Sequence, residues 1–233
     1  KLIDVVVELL DSRIPISSHN PDFEEIIKNK KRIVVLNKSD LADDTQNKKW
    51  VQHFKEKGII AVSVDSNSGK GIQETLLQIE KLMDEELKKL EEKGRVGRKI
   101  RAMILGIPNV GKSSFINRIS KKSTAEVGNK PGVTRKKQWI RINEKVELLD
   151  TPGVLWPKFG SNEIALNLSY TGTIKDEILD RTEIAYNLLK YLLENYREKL
   201  CDRYKLDEKH IEEILEHDEP ENVNIYEMLN YLF

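Results

Sequence analysis

The sequence predicts an α/β fold, a mostly parallel six-stranded sheet with helices on both faces, followed by a small all-helical part. Three observations carry this. Short Val- and Ile-rich runs alternate with amphipathic stretches through the first 150 residues. Two late strands stand three residues apart, and strand signals stop after Pro157, where helical spacing takes over.

The runs Ile3 to Leu10, Ile33 to Leu36, Ile59 to Val64 and Met103 to Leu105 are apolar and short, which suits strands buried on both faces. Asp22 to Asn29, Thr45 to Lys57 and Ile72 to Glu92 have helical spacing. In the second, Trp50, Val51 and Phe54 make one apolar face; in the third, Ile72, Leu76, Ile79, Leu82 and Met83 make another. Gln138 to Ile142 and Val146 to Leu149, separated by Asn143, Glu144 and Lys145, read as a hairpin. Farther on, Ile184, Ala185, Leu188, Leu189, Leu192, Leu193 and Tyr196 repeat at helical intervals, and Asp207 to His217 and Ile225 to Phe233 follow the same pattern. The expected organisation is therefore a domain over 1–172 and a helical domain over 173–233.

Composition narrows the function classes. The chain has 233 residues, 39% hydrophobic and 33% charged, enough for a real core in one domain plus a smaller one. A single cysteine, Cys201, excludes an internal disulfide and suits a reducing, cytoplasmic setting. No apolar run approaches the ~20 residues that span a bilayer, and no membrane partner is expected. Lys1 opens almost directly into a strand-like run, and the last residues, "IYEMLNYLF", are apolar without a capping glycine, so further residues are expected at both ends. Net charge is zero but unevenly spread: residues 88–141 hold 16 Lys and Arg against three acids, whereas 142–233 hold 10 against 20. A basic middle of this kind suits a polyanion partner as well as a solvated surface.

The chemistry begins with "GIPNVGKS", residues 106–113, which fits Gly, four residues, Gly-Lys-Ser between a strand and a helical stretch beginning at Ser114. Glycines let the backbone wrap phosphate, and the helix N-terminus offers free N–H groups: Asn109, Val110, Gly111 and Ser114 belong to this cradle. Lys112 would bridge the β- and γ-phosphates, and Ser113 would ligate Mg²⁺. Asn37-Lys38-Ser39-Asp40 follows the second strand. A carboxylate at Asp40 accepts from both N1–H and the 2-amino group of guanine, while adenine offers neither, so GTP and GDP are the expected ligands. Alone this tetrapeptide is an ordinary turn; beside a phosphate loop it selects the base. Ser63, ending the third strand, fits the weaker companion motif that meets the guanine oxygen. Asp150-Thr151-Pro152-Gly153 follows the last strand, where Asp150 would hold Mg²⁺ and the Gly153 N–H would sense the γ-phosphate. Between them, in "NKPGVTRKK" (129–137), Thr134 is the candidate switch hydroxyl that completes the Mg²⁺ shell. Lys112, Thr134 and Gly153 are thus the expected catalytic set.

A conventional GTPase runs phosphate loop, switch threonine, Asp-x-x-Gly, Asn-Lys-x-Asp, Ser motif. Here Asn-Lys-Ser-Asp and Ser63 come first. The cycle is the same and is cut elsewhere, so a circularly permuted P-loop GTPase domain is expected, with Ile72 to Glu92 and "KGRVGRKIR" as the new joint.

With that order, the chain resembles the circularly permuted GTPases, and within them the ribosome biogenesis GTPase A (YlqF/RbgA) group, over essentially its whole length. "DSRIPISSHNP" (11–21) is similar to the group's Asp-Ala-Arg-x-Pro stretch, with Ser12 for Ala; "GIPNVGKSS", "NKPGVTR" and "DTPGVLWPKF" match as well. The resemblance implies a cytoplasmic GTPase, acting as a monomer, that helps mature the large ribosomal subunit. Its partners would be the subunit precursor and its ribosomal RNA, contacted by the helical domain; no DNA partner is expected. It also implies that Asn109 could ligate K⁺ beside the phosphates, with simple loop hydrogen bonding as the alternative. Val154 stands where Ras-like enzymes place a water-orienting Gln, so slow intrinsic hydrolysis, stimulated by a partner, is expected. The group's catalytic His segment before the first strand has no counterpart in this sequence. His19 could substitute, although a lone loop His more often serves as a polar surface residue. The alternative function is a nucleotide-gated RNA- or ribosome-binding module with negligible hydrolysis, or a permuted GTPase of another ribosome-assembly subgroup.

Overall fold

A computed structural model describes residues 3–120, 139–156, 160–174 and 181–205, with residue 209. The chain divides into two compact units, 1–159 and 160–233. In the first, β1 (Val5–Asp11), α1 (Phe23–Ile27), β2 (Lys31–Asn37), α2 (Asp44–Glu56), β3 (Ile60–Ser63), α3 (Ile72–Glu91), β4 (Ile100–Leu105), α4 (Lys112–Ser120), β5 (Trp139–Arg141) and β6 (Val146–Leu149) follow one another. The six strands form one sheet in the order β3-β2-β1-β4-β6-β5. Every pairing is parallel except that of β5 with β6, the expected hairpin, in which Trp139 faces Leu149.

β1 sits at the centre because five of its seven residues are apolar and the other two, Glu8 and Asp11, find partners inside the protein. Val5, Val6, Val7, Leu9 and Leu10 are at most 1% exposed. Side chains alternate across a strand, so burial of both parities means that both faces are covered. On one face Val6 packs with Phe23 and Ile27 of α1, and Leu10 packs with Val34, Leu36 and Phe54 of α2. Each such side chain contributes about 1.5–3 kcal/mol by leaving water. α3 buries Ile72, Thr75, Ile79 and Met83 and lies against β2, β3 and α4.

Glu8, in the middle of β1, is an ionisable residue that is fully buried. Its carboxylate is met by the Arg32 guanidinium from β2 and, at 2.7 Å, by Nδ1 of His19. His19 is therefore bound to the sheet and also lies 3.3 Å from Glu24.

The second unit contains α5 (Asn162–Tyr170) and α6 (Arg181–Tyr204), which pack on each other. The units divide at 159/160, whereas the sequence reading set its boundary at 172/173, so the second unit begins just before α5, a helix that the sequence pattern did not indicate. Ser161 starts it by accepting from the Ile164 N–H, and Ala165 and Leu168 give it a buried face. The repeat Ile184 to Tyr196 is helical as expected, and α6 continues beyond it after a kink at Tyr196 (φ −142°, ψ 32°). The segments 207–217 and 225–233, and the loop 129–137 with Thr134, lie outside the described residues.

Candidate functional site

In a parallel sheet all strands end on the same edge, and ligands bind beyond that edge where the connections diverge to either side. β1 and β4 are the neighbours at which this happens. Asn37 ends β2 and Lys38 and Asp40 follow it, Ser63 ends β3, residues 106–113 follow β4, and Asp150 and Gly153 follow β6. Four separate stretches of sequence thus meet on one edge.

Their contacts are direct. Asn37, 1% exposed, donates from Nδ2 to the Val110 carbonyl (2.9 Å), and its Oδ1 accepts from the Ser66 hydroxyl (2.7 Å). One amide therefore ties the loops after β2, β3 and β4. Gly111 is required next to it: at φ +97° its missing Cβ would lie 2.3 Å from Asn37 Nδ2. Lys38 adopts a left-handed backbone (φ 58°) that a non-glycine residue holds at a cost of about 1–2 kcal/mol. Its Nζ is 3.0 Å from Asp11 Oδ2, and the buried Asp11 carboxylate also takes a two-pronged grip from Arg13, at 2.9 and 2.7 Å. Burial alone would raise the Asp11 pKa, but the hydrogen bonds from Arg13 and Lys38 hold it below the ordinary carboxylate value. Asp40 is exposed on the short turn Ser39–Leu41 that follows.

On the phosphate side, Lys112 is 8% exposed and donates to the carbonyls of Gly106 (2.9 Å) and Ile107 (2.7 Å). Burial pushes its pKa down to about 8, against the opposing charge of Asp150. Burial likewise raises Asp150, opposed by Lys112 and the Thr151 N–H. An anion beside Lys112 would restore its full charge. Gly153 touches this centre: a Cβ there would be 2.6 Å from Lys112 Nζ and 2.9 Å from Pro108 N. Ser113 and Ser114 are exposed on the first turn of α4, where the helix presents its free amides. Asn109 has φ 56°, a left-handed bend at the tip of the loop. A hydroxyl and a carboxylate beyond two neighbouring strands, β4 and β6, make an all-oxygen donor set that fits Mg²⁺.

Sequence reading missed Asp11 and Arg13 as parts of the site, and Ser66 and Asn20 with them. The signal for Asp11 was available: like Asn37, it is the polar residue that ends a buried strand, and the two are register partners. Ser66 and Asn20 carried no such signal.

An Asn-Lys-Ser-Asp loop, a Gly-x4-Gly-Lys-Ser loop and an Asp-Thr-Pro-Gly turn on one edge of this sheet, in this chain order, define a circularly permuted GTPase. Comparison with known proteins agrees. The family model described as "50S ribosome-binding GTPase" matches residues 101–230. Ribosome biogenesis GTPase A of Bacillus cereus is 49% identical over 208 residues, 89% of this chain and 70% of that protein. Mitochondrial ribosome-associated GTPase 1 of Mus musculus is 39% identical over 198 residues, 81% of this chain and 60% of that one. Among solved structures, GNP-bound YlqF from Thermotoga maritima superposes with a TM-score of 0.60 at 27% identity, covering 88% of this chain and 78% of that one. The chain belongs to the ribosome biogenesis GTPase A family, and it is a GTPase.

Proposed function

We propose that this GTPase acts in the cytoplasm as a monomeric assembly factor for the large ribosomal subunit, with low intrinsic turnover that the particle raises. The observation that carries the nucleotide half of this reading is the Asn37 bond to Val110, which locks the base-reading loop onto the phosphate loop. The names of the relatives, ribosome biogenesis and ribosome-associated GTPases, support the ribosomal half. No helix among the described residues is long and apolar enough to cross a membrane.

In this reading Asp40 pairs with guanine, Ser63 flanks the base, and Asn109 to Ser114 cradle the phosphates. Lys112 meets the charge that gathers on the β–γ bridging oxygen as that P–O bond breaks and the oxygen of water joins phosphorus. The Gly153 N–H faces the γ-phosphate. Ser113, Asp150 and Thr134 would hold Mg²⁺, which neutralises phosphate charge when bound, and Asn109 is the residue placed to share K⁺. The exposed Lys93 and Arg95 of the joint between α3 and β4 offer phosphate contacts to ribosomal RNA, and the helical domain offers the rest.

A second reading, a nucleotide-gated binding module with negligible turnover, is favoured by one observation. Val154, 48% exposed beside Gly153, cannot orient water by hydrogen bonding. GTP turnover measured with and without isolated large-subunit precursors separates the two: marked stimulation is expected, and unchanged turnover would leave the module.

A further inference from the structure

The loop between β1 and α1, residues 12–22, is polar yet largely buried, with Ser12, Ser17, Ser18 and Asn20 all under 9% exposed. Polar loops ordinarily lie in water, and apart from the Ser12 hydroxyl these buried groups are bonded. Most bond within the loop. The Ser18 hydroxyl accepts from the Asp11 N–H (3.0 Å) and donates to the Pro15 carbonyl (3.2 Å), and the Ser18 N–H reaches Ile14 O at 2.9 Å. His19 pins the loop to the sheet through Glu8.

Asn20 is different. It is fully buried, and its two side-chain atoms do separate work. Oδ1 accepts from the Asp22 N–H at 2.9 Å, closing the turn into α1. Nδ2 leaves the loop altogether and donates to the Val154 carbonyl at 3.1 Å, across a sequence separation of 134. Val154 directly follows Gly153, whose backbone lies against Lys112 and Pro108 without room for a Cβ. A shift of Val154 therefore moves the Gly153 N–H relative to the phosphate loop. At the other end of the same loop, Asp11 grips Lys38. The segment 11–20 thus braces the Asn-Lys-Ser-Asp loop with its first residue, Asp11, and the Asp-Thr-Pro-Gly turn with its tenth, Asn20.

We propose that Asn20 is a positioning residue for γ-phosphate sensing: its side-chain amide fixes the Val154 carbonyl and thereby aims the Gly153 N–H. The inference rests on the nucleotide site proposed above and goes beyond it, because Asn20 touches neither base nor phosphate. GDP has no γ-phosphate, so a defect here must fall on GTP and spare GDP.

Asn20→Asp tests this, since it keeps the acceptor for Asp22 N–H and sets a carboxylate oxygen in place of the donor to Val154. At pH 8, with the new carboxylate ionised, calorimetric titration is expected to show a non-hydrolysable GTP analogue weakened about tenfold and GDP within about twofold of wild type. Turnover at saturating GTP should fall as well. Equal weakening of both nucleotides, or no change in either, would overturn the proposal. Independently of any variant, the Asn20 side-chain amide protons of the wild-type protein should be protected in NMR exchange experiments and shift between GDP and analogue. A solvent-like resonance, the same in both, would also overturn it. Wild-type preference for GTP over ATP, read in the same titrations, reports separately on the nucleotide site itself.

Discussion

The two halves of the site are built differently. On the base side, Asn37 is buried with both side-chain functions used, the Ser39 N–H reaches Val64 O at 3.1 Å, and the Val64 N–H reaches Leu36 O at 2.8 Å. Asp11 adds a buried carboxylate shared by two cations. On the γ-phosphate side, the turn after β6 hangs from the Thr151 hydroxyl on Ile104 O and from Asn20 on Val154 O. Val154 and its neighbours Pro152, Gly153 and Leu155 are exposed or only half-buried. In the function proposed above, selection of the base falls to parts bonded into the sheet, and sensing of the γ-phosphate to a turn that is exposed or half-buried. Segments of that second kind are the ones that open locally and respond to ligands.

Asp40→Asn attacks the base side at its recognition group and should give the largest effect. Guanine loses the acceptor that its two donors require, so GTP and GDP affinity should fall by ~10²-fold or more while the fold stays intact. Isothermal titration with GTP and ATP checks it; unchanged GTP affinity would remove the basis for guanine selection.

Next comes pH, which acts on the phosphate side through Lys112. Its folded pKa is depressed to about 8 by burial. Between about pH 8 and the ordinary lysine value the unfolded chain holds a proton that the folded, nucleotide-free protein has lost. The stability cost of burying this charge is therefore present below about 8 and relieved as pH rises through that window. Phosphate requires the charged form, so GDP binding should take up a proton above pH 8 and weaken by up to about tenfold per pH unit. Calorimetry in buffers of different ionisation enthalpy measures that uptake, and a pH-independent affinity from 7 to 9.5 would refute the coupling.

Ser12→Ala sharpens the comparison with the smallest change. Ser12 Oγ is buried next to Asp11 and has no hydrogen-bond partner. Removing it should stabilise the protein by about 1 kcal/mol, a rise of roughly 2–4 °C in Tm, with no change in nucleotide affinity. A loss of stability would mean that the hydroxyl has a bonding role on the base side.

How much of this was legible in the sequence depends on the range over which each feature is encoded. Strands β1, β2, β3, β4 and β6 are written as local apolar runs, and helices α2 and α3 as apolar faces, so pattern reading places them within a few residues. The motif residues Asn37, Asp40, Lys112 and Asp150 are legible because each belongs to a short pattern of fixed residue types at or soon after the end of a strand. The bracing was not legible. Nothing near Asn20 indicates that its partner lies 134 positions away, and a polar loop with Ser17, Ser18 and His19 reads as surface until the contact of His19 with Glu8 is seen. α5 was missed for a related reason: one buried Ala and one buried Leu, Ala165 and Leu168, are too weak a periodic signal in nine residues.

The pairing of β1 has a consequence for how the chain assembles. One neighbour, β2, stands 26 positions along in register (Val5 with Lys31), whereas the other, β4, stands 97 along (Val5 with Ala102). A ribosome making this chain releases the whole base-reading half first. Until β4 emerges, a strand that ends up wholly buried is an open edge, the kind that recruits stray strands. Closing that edge also sets the phosphate loop in place, since that loop is the continuation of β4. Nucleotide can therefore reach its site only in a molecule whose sheet has already been closed, and capture of GTP doubles as a report that synthesis and folding have passed that point.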